Sequence, residues 1–436
     1  MLLSVEWCPP MRKCGVIGAG YVGLPLSIRI ADVAQSCVVY DTSSGRVGDL
    51  RCGQDTSGLM PSGELLKENL HFSADEDDLA GCDTFFVCVP TPADNLGQID
   101  LSHLVSASRS VGKHLTDQSI VVFESTVFPG CTEEVCVPIL EECSGLKLNR
   151  DFMVGYSPER VSPGMTGAEL SNITKLVSGS SERALIAVEN IYSKIVDADV
   201  VRVPSIKVAE MSKVFENTQR DVNIALVNEL SQICSELGLD TSSVLDAAST
   251  KWNFTRFNPG LVGGHCISID PYYLIYKSVS CGYVPRLISE ARLVNESMSA
   301  FVVDAITKEL GRAGVSFDTA RVGVMGITYK PDVPDVRNSK VVDLIRRLRN
   351  LVKTVLVCDC VVRLPRSLPQ DIELIKEKEL RSLDVLVAAV PHKSYAEMDV
   401  KSLRKKCSDK CAIFVDIGGV YDRSALEKSG FKVIRL

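Results

Sequence analysis

Three glycines and an aspartate near the start of the chain have the spacing of a dinucleotide-binding fingerprint. Gly18, Gly20 and Gly23 follow the apolar stretch KCGVIG and open a helical stretch, and Asp41 ends the next apolar stretch, CVVYD. Such glycines allow a tight turn and the close approach of a pyrophosphate, while the helix N-terminus faces its negative charge. The alternative is that the glycines only form a turn. Because a carboxylate at Asp41 would bind the adenosine ribose and repel a 2′-phosphate, the pattern predicts NAD rather than NADP.

A second glycine-rich segment, NPGLVGGHCISIDPYYL (258–274), places Cys266 directly after two glycines and His265. Most of the 16 cysteines lie in apolar runs such as FFVCVP, where cysteine is a small buried hydrophobe. Scattered single cysteines in a large chain do not predict disulfides. Cys266 is the exception, because its neighbours are small and polar, so composition alone does not explain it.

Alternating apolar strands and helical stretches must position these residues. The strands predicted from apolar runs cover 13–18, 37–41, 83–90, 119–126 and 152–159, then 321–326, 354–359, 384–391 and 412–418. This alternation predicts an α/β fold with two doubly wound, mostly parallel sheets of the Rossmann type, joined by a central helical region.

The central region contains 32 residues, from Ile206 to Leu237, without Gly or Pro, which predicts one long helix. Its apolar stripe consists of Val208, Met211, Phe215, Val222, Leu226, Leu230, Ile233 and Leu237. Lys213 and Asn217 lie about 160° from that stripe at 100° per residue. The helix could therefore bridge two domains or two subunits.

The charge pattern excludes several partners. The net charge is −7, and Lys+Arg 48 and Asp+Glu 55 are spread along the chain, so we expect no nucleic-acid binding. No apolar run is long enough to span a membrane, and the first fourteen residues lack the pattern of a signal peptide. We therefore expect a cytoplasmic protein.

Seven segments together carry a resemblance to a known family. They are GAGYVGLPL, VPTP (89–92), ESTVFPG (124–130), YSPERVSPG (156–164), AEMSKVFENTQRDVNIALVNEL (209–230), the Cys266 segment and GITYKPDVPDVRNSK (326–340). In this order they resemble the UDP-glucose/GDP-mannose dehydrogenase family. The resemblance implies an NAD-binding domain (1–204), a central helical domain that dimerises (205–305) and a nucleotide-sugar-binding domain (306–436). It also implies a homodimer, a UDP-sugar substrate and no metal.

The resemblance implies two successive hydride transfers that convert C6 of a nucleotide sugar from alcohol to carboxylate. Cys266 matches the family's nucleophile, which forms a thiohemiacetal and then a thioester. Lys213 matches the family's catalytic lysine, and Asn217 lies one turn further on. Asp270 matches the carboxylate that acts with the lysine on the hydrolytic water. From helix geometry alone, a solvated face would be the simpler interpretation of Lys213.

Further site residues follow from the same motifs. Glu159 matches an acid or base near C6, and Thr126 would hold a hydroxyl or a water. The implied cofactor contacts are Gly18, Gly20, Tyr21, Val22, Gly23, Asp41, Arg46, Thr91, Thr126 and Arg337. The implied substrate contacts are Glu159, Arg160, Lys213, Asn217, Arg256, Phe257, Gly260, Gly263 and Lys330. Surface roles are the alternatives for Arg46, Lys330 and Arg337. For Arg256, the resemblance implies contact with the diphosphate bound by a neighbouring subunit. For His265, backbone shaping or contact with the sugar is favoured over a Cys-His dyad.

The residues after Cys266 bear on the substrate. UDP-glucose enzymes of the family carry Cys-Phe/Leu-Pro-Lys-Asp, whereas this chain has Ile269 in place of the lysine, followed by DPYYL. This resembles the UDP-N-acetylhexosamine branch, which supplies surface polysaccharides, and favours UDP-N-acetylglucosamine. UDP-N-acetylgalactosamine, UDP-N-acetylmannosamine, UDP-glucose and GDP-mannose remain alternatives. Two other classes also stay open: a single-hydride dehydrogenase that needs no cysteine, and an inactive nucleotide-sugar sensor.

Overall fold

The computed structural model describes residues 11–58, 60–93, 97–160, 172–362 and 368–436. By their contacts, the residues form two compact units. Unit 1 comprises Met1–Glu216 and Tyr272–Tyr283, and unit 2 comprises Asn217–Pro271 and Val284–Leu436. The three domain boundaries drawn from the sequence remain a prediction. No described helix is long and apolar enough to cross a membrane.

Unit 1 is built on one eight-stranded sheet. Its strands are β1 (Lys13–Ile17), β2 (Ser36–Tyr40), β3 (Leu70–Ser73), β4 (Thr84–Val87), β5 (Ile120–Phe123), β6 (Met153–Tyr156), β7 (Lys175–Gly179) and β8 (Val200–Arg202). The order is β3-β2-β1-β4-β5-β6-β7-β8, and every pair is parallel except β6 with β7. Every residue of β4, β5 and β6 is buried, as expected for strands covered on both faces.

The helices of unit 1 lie between these strands. They are α1 (Gly23–Ala31), α2 (Ser44–Arg51), α3 (Ser62–Leu65), α4 (Ser102–His114), α5 (Val137–Ser144) and α6 (Glu182–Ile195). A π-helical turn, Thr132–Cys136, leads into α5. Helix α6 begins where Ser181 accepts a hydrogen bond from the Ala184 amide, and its apolar side packs into the main core of the unit.

Unit 2 contains a five-stranded sheet and most of the central helices. The central helices are α7 (Ile206–Leu237), α8 (Thr241–Ala248), α9 (Asp270–Ser280) and α10 (Arg286–Arg312); the unit boundary falls within α7 and within α9. The strands are β9 (Arg321–Met325), β10 (Thr354–Cys358), β11 (Val385–Ala388), β12 (Ile413–Asp416) and β13 (Lys432–Arg435), in the parallel order β10-β9-β11-β12-β13. The remaining helices are α11 (Lys340–Arg349), α12 (Lys393–Ala396), α13 (Val400–Arg404) and α14 (Arg423–Lys428).

Helix α7 has the predicted bounds, but its apolar face is exposed and its opposite, more polar face is buried. The apolar stripe is largely exposed: Phe215 is 57% and Leu226 64% accessible. The opposite side is buried, including the polar residues Asp221 and Asn228. Lys213 is only 8% accessible, so its interpretation as part of a solvated face is wrong.

All nine strands predicted from the sequence are present, and four more were missed. Three of the missed strands, β3, β8 and β13, are sheet edges, which carry polar residues and lack a long apolar run. The fourth missed strand, β7, starts with Lys175. This lysine is buried, although lysine is usually exposed, so nothing in the sequence indicated a buried strand there. The α/β class with two mostly parallel sheets and a helical region is confirmed.

Candidate active site

The loop after β1 has the conformation that a dinucleotide fingerprint needs. Gly18 has a φ of +101°, in the region that favours glycine. A Cβ on Gly23 would lie 1.9 Å from the Gly18 carbonyl oxygen, so only glycine lets α1 approach the strand this closely. A Cβ on Gly20 would meet nothing within 4 Å, which leaves open space above the loop. Tyr21 and Val22 lead directly into α1. These residues fit a bound pyrophosphate.

Asp41 and Arg46 both contact the fingerprint loop through Ala19. Asp41 accepts hydrogen bonds from the amides of Ala19 and Ser43, each at 2.9 Å. The Arg46 guanidinium donates to the Ala19 carbonyl at 3.2 Å and forms an ion pair with Asp55 at 2.7 Å. The Arg46 side chain therefore stabilises the fingerprint loop. Its direct contact with a cofactor stays a prediction.

Residues at the carboxyl ends of β4 and β5 meet at one edge of the sheet. Thr91 Oγ1 donates to the Thr126 carbonyl at 2.5 Å, and Ser125 Oγ donates to the Val89 carbonyl at 2.7 Å. Tyr273 also donates its hydroxyl to the Thr91 carbonyl. Because the strand order reverses between β1 and β4, the carboxyl ends of these two strands form the topological switch point where open sheets bind ligands.

Glu159, just beyond β6, sits on a buried ionic cluster that the sequence did not reveal. Lys175 Nζ lies 2.7 Å from Glu124 Oε2 and 3.4 Å from Glu159 Oε2. Tyr192 donates its hydroxyl to the other Glu124 oxygen. Burial alone would lower the pKa of Lys175, but Glu124 and Glu159 raise it, so the ammonium stays charged.

The neighbouring Arg160, a predicted substrate contact, already has partners within unit 1. Its guanidinium pairs with Glu216 at 2.8 Å and donates to the Thr174 carbonyl at 3.0 Å. A role in substrate binding stays a prediction for this residue.

In unit 2, the Cys266 loop packs closely against the segment after β9. A Cβ on Gly263 would lie 2.6 Å from the Asn338 carbonyl, and one on Gly264 would lie 2.6 Å from the Tyr329 ring. The Gly264 amide donates to the Asn338 carbonyl at 3.2 Å. The glycines beside the nucleophile therefore permit close contact between two loops. The Cys266 thiol itself is exposed.

Lys330, on that neighbouring segment, is within electrostatic reach of Cys266. Burial and the nearby Arg220 guanidinium lower the pKa of Lys330, whereas Cys266 raises it. A lysine ammonium near a thiol stabilises the thiolate. Lys330 and Cys266 therefore interact electrostatically, a relationship that the sequence had not indicated.

Asp270 and Asn217 are also brought together. Asp270 is buried at the start of α9, and its amide donates to the Cys266 carbonyl at 2.8 Å. Asn217 Nδ2 donates to Asp270 Oδ2 at 2.5 Å. Two predicted catalytic residues are therefore hydrogen-bonded to each other, and the backbone amide of Asp270 is hydrogen-bonded to the backbone of Cys266.

Arg337 is held by Asp335, a residue that the sequence analysis did not single out. The guanidinium approaches Asp335 with Nε at 3.0 Å from Oδ1 and Nη2 at 2.7 Å from Oδ2. The same carboxylate lies 3.3 Å from His265 Nε2. Asp335 lies inside the quoted GITYKPDVPDVRNSK motif, so its position was visible in the sequence although its partners were not.

The segment leading to Cys266 is anchored to α7 by a buried asparagine, a second residue that was missed. Asn228 donates to the Gly260 carbonyl at 3.1 Å and accepts from its amide at 2.8 Å. Asn228 lies 11 residues after Asn217, on the same helix face, and this spacing was the available signal. Arg256 instead pairs with Asp246 at 2.5 Å, and Phe257 is half-buried. Their substrate contacts stay predictions.

A cleft in unit 2 lies at the carboxyl ends of β9, β11 and β12. It is lined by Pro259–Leu261, Thr328, Tyr329, Pro331, Ser339–Val341, Ala389–Pro391, Ile417 and Gly418. The N-terminus of α11 opens into it, and backbone amides there favour an anion. Gly260, a predicted substrate contact, is part of this lining.

Profiles of three domains of one family match the chain in order. The family is described as the UDP-glucose/GDP-mannose dehydrogenase family; its NAD binding domain matches residues 12–196, its central domain 207–297 and its UDP binding domain 323–423. The chain belongs to this family. The resemblance read from seven motifs is thereby confirmed.

Individual members of the family are similar over nearly the whole chain. A UDP-N-acetyl-D-glucosamine 6-dehydrogenase of Pseudomonas aeruginosa is 44% identical and covers 90% of this chain and 93% of its own. Protein CapL of Staphylococcus aureus is 42% identical, and the match covers 96% of this chain and 98% of CapL. The solved structure of UDP-D-ManNAc dehydrogenase from Pyrococcus horikoshii has a TM-score of 0.87 at 31% identity. The match covers 97% of this chain and 98% of that structure's chain.

Family membership assigns chemistry to the two units. This dehydrogenase is an NAD-dependent oxidoreductase of UDP-sugars. The fingerprint loop, Asp41, Thr91 and Thr126 lie in the matched NAD binding domain, in unit 1. Lys330, Arg337 and most of the cleft lining lie in the matched UDP binding domain, in unit 2.

Proposed function

We propose that this dehydrogenase oxidises C6 of a UDP-N-acetylhexosamine, with UDP-N-acetylglucosamine as the preferred substrate, to the uronic acid. Two relatives named UDP-N-acetyl-D-glucosamine 6-dehydrogenase, at 44% and 40% identity, support this choice over the UDP-N-acetyl-D-mannosamine dehydrogenases at 30–32%. Ile269, where UDP-glucose enzymes carry lysine, supports an N-acetylated sugar. We infer that the product serves surface polysaccharide synthesis.

The reaction proceeds through a covalent bond to Cys266. Two NAD molecules, held in turn by the fingerprint loop and Asp41, would supply the hydride acceptors for the two oxidations. C6 first loses a hydride and its hydroxyl a proton, which gives the aldehyde. The Cys266 thiolate adds to this carbon and the oxygen takes up a proton, which gives a thiohemiacetal. Loss of the second hydride and of the hydroxyl proton gives a thioester. Water attacks the carbonyl, the C–S bond breaks and the two water protons pass to solvent, which releases the carboxylate and restores the Cys266 thiolate.

The observation that carries this proposal is the setting of Cys266. Its thiol is exposed, Lys330 is within electrostatic reach, and its carbonyl accepts from the amide of Asp270. Lys330 favours the thiolate, while Asp270, held by Asn217, orients the hydrolytic water. A buried cysteine with no charged neighbour would not support nucleophilic chemistry.

The family resemblance supplies the remaining roles in the proposal. Lys213, a buried ammonium on α7, stabilises the oxyanions that form at C6. Glu159, next to the charged Lys175, acts as acid or base at the same carbon. Thr126, at the carboxyl edge of β5, holds the substrate hydroxyl or a water. The cleft that contains Gly260 and the α11 N-terminus would bind the nucleotide, because the backbone amides at that N-terminus favour the negative charge of the diphosphate.

The exposed stripe of α7 supports a homodimer. Phe215, Leu226, Ile233 and Leu237 are each more than half accessible along one helix face. Contiguous apolar surface of this kind marks protein contacts in soluble proteins. A second copy is the fitting occupant, because a two-fold axis across the helix pairs the same stripe with itself.

The test is to incubate the purified enzyme with NAD and UDP-N-acetylglucosamine, UDP-N-acetylgalactosamine, UDP-N-acetylmannosamine or UDP-glucose. We expect two NADH per sugar, with the highest kcat/KM for UDP-N-acetylglucosamine. One NADH with a released aldehyde would contradict the thioester route, and tight UDP-sugar binding without NADH would indicate a sensor. Cys266→Ala should abolish acid formation. Cys281→Ser, which alters another exposed free cysteine, is the matched control.

A further inference from the structure

Asp335 is a buried carboxylate whose two oxygens contact side chains with separate predicted roles. Its side chain is only 6% accessible. Arg337 Nε lies 3.0 Å from Oδ1 and Arg337 Nη2 lies 2.7 Å from Oδ2. His265 Nε2, on the residue before Cys266, lies 3.3 Å from Oδ2. One carboxylate therefore joins the nucleophile's loop to a predicted cofactor contact.

The carboxylate is charged, and this fixes the role of His265. Burial on its own raises the pKa of Asp335, but hydrogen bonds from His265 and Arg337 outweigh burial and hold that pKa well below its ordinary value. An ionised carboxylate only accepts hydrogen bonds, so His265 Nε2 carries the proton that it donates.

The backbone around Asp335 is held in the same place. The Tyr329 amide donates to the Asp335 carbonyl at 3.1 Å, and the Arg337 amide donates to Asp335 Oδ1 at 3.0 Å. The His265 ring meets the Tyr329 ring edge-on, with centroids 5.9 Å apart. The side-chain contact therefore reinforces the close packing of the two loops at Gly263 and Gly264.

We propose that Asp335 is a positioning residue that fixes both the Cys266 loop, through His265, and the Arg337 guanidinium, so that thiol reactivity and NAD affinity depend on one carboxylate. This inference rests on the proposed function, which makes Cys266 the nucleophile, and on the cofactor contact that the family resemblance implies for Arg337. Asp335 itself touches neither the substrate nor the cofactor in this role.

Asp335→Asn tests the proposal, because an amide has one acceptor oxygen and no charge for its two partners. We expect the KM for NAD to rise roughly tenfold, because Arg337 loses its charge-assisted, bidentate hydrogen bonds to the Asp335 carboxylate. We also expect kcat and the rate of Cys266 alkylation by iodoacetamide, without ligands, to fall several-fold as the loop loses its anchor. Asp343→Asn, which alters an exposed ion pair on α11, is the control and should change neither.

Two further variants test the His265 contact and the Arg337 contact separately, and they remain informative if Asp335→Asn folds poorly. His265→Ala should slow alkylation and leave the KM for NAD unchanged. Arg337→Ala should raise that KM and leave alkylation unchanged. Since His265 acts through Asp335, the double variant His265→Ala/Asp335→Asn should be alkylated no more slowly than the slower single variant.

Three results would overturn the inference. One is an Asp335→Asn enzyme that melts earlier but keeps the alkylation rate and KM of the Asp343→Asn control. The second is additive effects in the double variant. The third is an unchanged alkylation rate in His265→Ala. Failure of the proposed function shows separately, because turnover by Cys266→Ala would refute the nucleophile while the alkylation and KM measurements still report on Asp335.

Discussion

Asn217 Nδ2 donates a hydrogen bond to Asp270 Oδ2 at 2.5 Å, which joins the middle of α7 to the first residue of α9. Asp270 is buried, and its amide donates to the carbonyl of Cys266. A carboxylate held in this way has one oxygen committed to an amide donor and a fixed position relative to the nucleophile's backbone. The pair is suited to orient a water rather than to form a solvated surface contact.

Asp270→Asn should slow hydrolysis of the thioester while leaving its formation nearly intact. We expect steady-state turnover to fall about a hundredfold, because an amide cannot accept a proton from water. A rapid burst approaching two NADH per active site should precede the slow phase, and intact-mass spectrometry should detect the acyl-enzyme. Asp304→Asn, at an exposed position on α10, is the control. A normal steady-state rate without acyl-enzyme would refute the role of Asp270.

Leu226→Glu should convert a homodimer into monomers. Leu226 is 64% accessible in the centre of the α7 stripe, so a second copy would bury the new charge without a partner. Light scattering coupled to size exclusion measures the mass directly. Leu351→Glu, which alters an exposed leucine away from α7, should leave the mass unchanged. A monomeric wild-type chain would contradict the proposed dimer.

Lys175→Met should destabilise unit 1 strongly. The substitution leaves Glu124 buried beside Glu159 without the ammonium that lies 2.7 Å and 3.4 Å from them. We expect the free energy of unfolding to fall by about 3 to 5 kcal/mol, measured by urea denaturation. Adding Glu124→Gln should recover part of the loss. Lys147→Met, which breaks an exposed ion pair, should change stability by less than about 1 kcal/mol.

Glu210 should make the stability of unit 1 depend on pH near neutrality. It accepts from the Gly130 and Thr132 amides at 2.5 Å and 2.9 Å, and burial raises its pKa to about 7. Because the folded pKa lies above the unfolded one, this stabilisation is complete below about pH 4.5 and is lost as pH rises through 7.

The measurement compares the wild type with Glu210→Gln by urea denaturation at pH 5 and pH 8. The stability of the wild type relative to the variant should fall by about 2 to 3 kcal/mol over this range. Glu142→Gln, which alters an exposed glutamate on α5, should show no such change relative to the wild type. Equal pH dependence in wild type and Glu210→Gln would contradict the role of Glu210.

The sequence predicted those elements whose signal is local. Apolar runs located nine strands, and 32 residues without Gly or Pro defined α7 to the residue. The edge strands β3, β8 and β13 were missed because they carry polar residues and lack a long apolar run. Lys175 escaped for a related reason: a buried lysine is identified only by the carboxylates around it, and Glu124 lies 51 residues away in the chain.

The sequence by itself determined the family and the cofactor, because each depends on residue types at fixed short spacings. Only the tertiary structure decided which side of α7 is buried, that Lys330 is within electrostatic reach of Cys266, and that Asp335 holds His265 and Arg337 together. These relationships join residues up to 70 positions apart, and periodicity within one element carries no information about its partner. The two loops can pack this closely because the glycine pair before His265 carries no Cβ atoms.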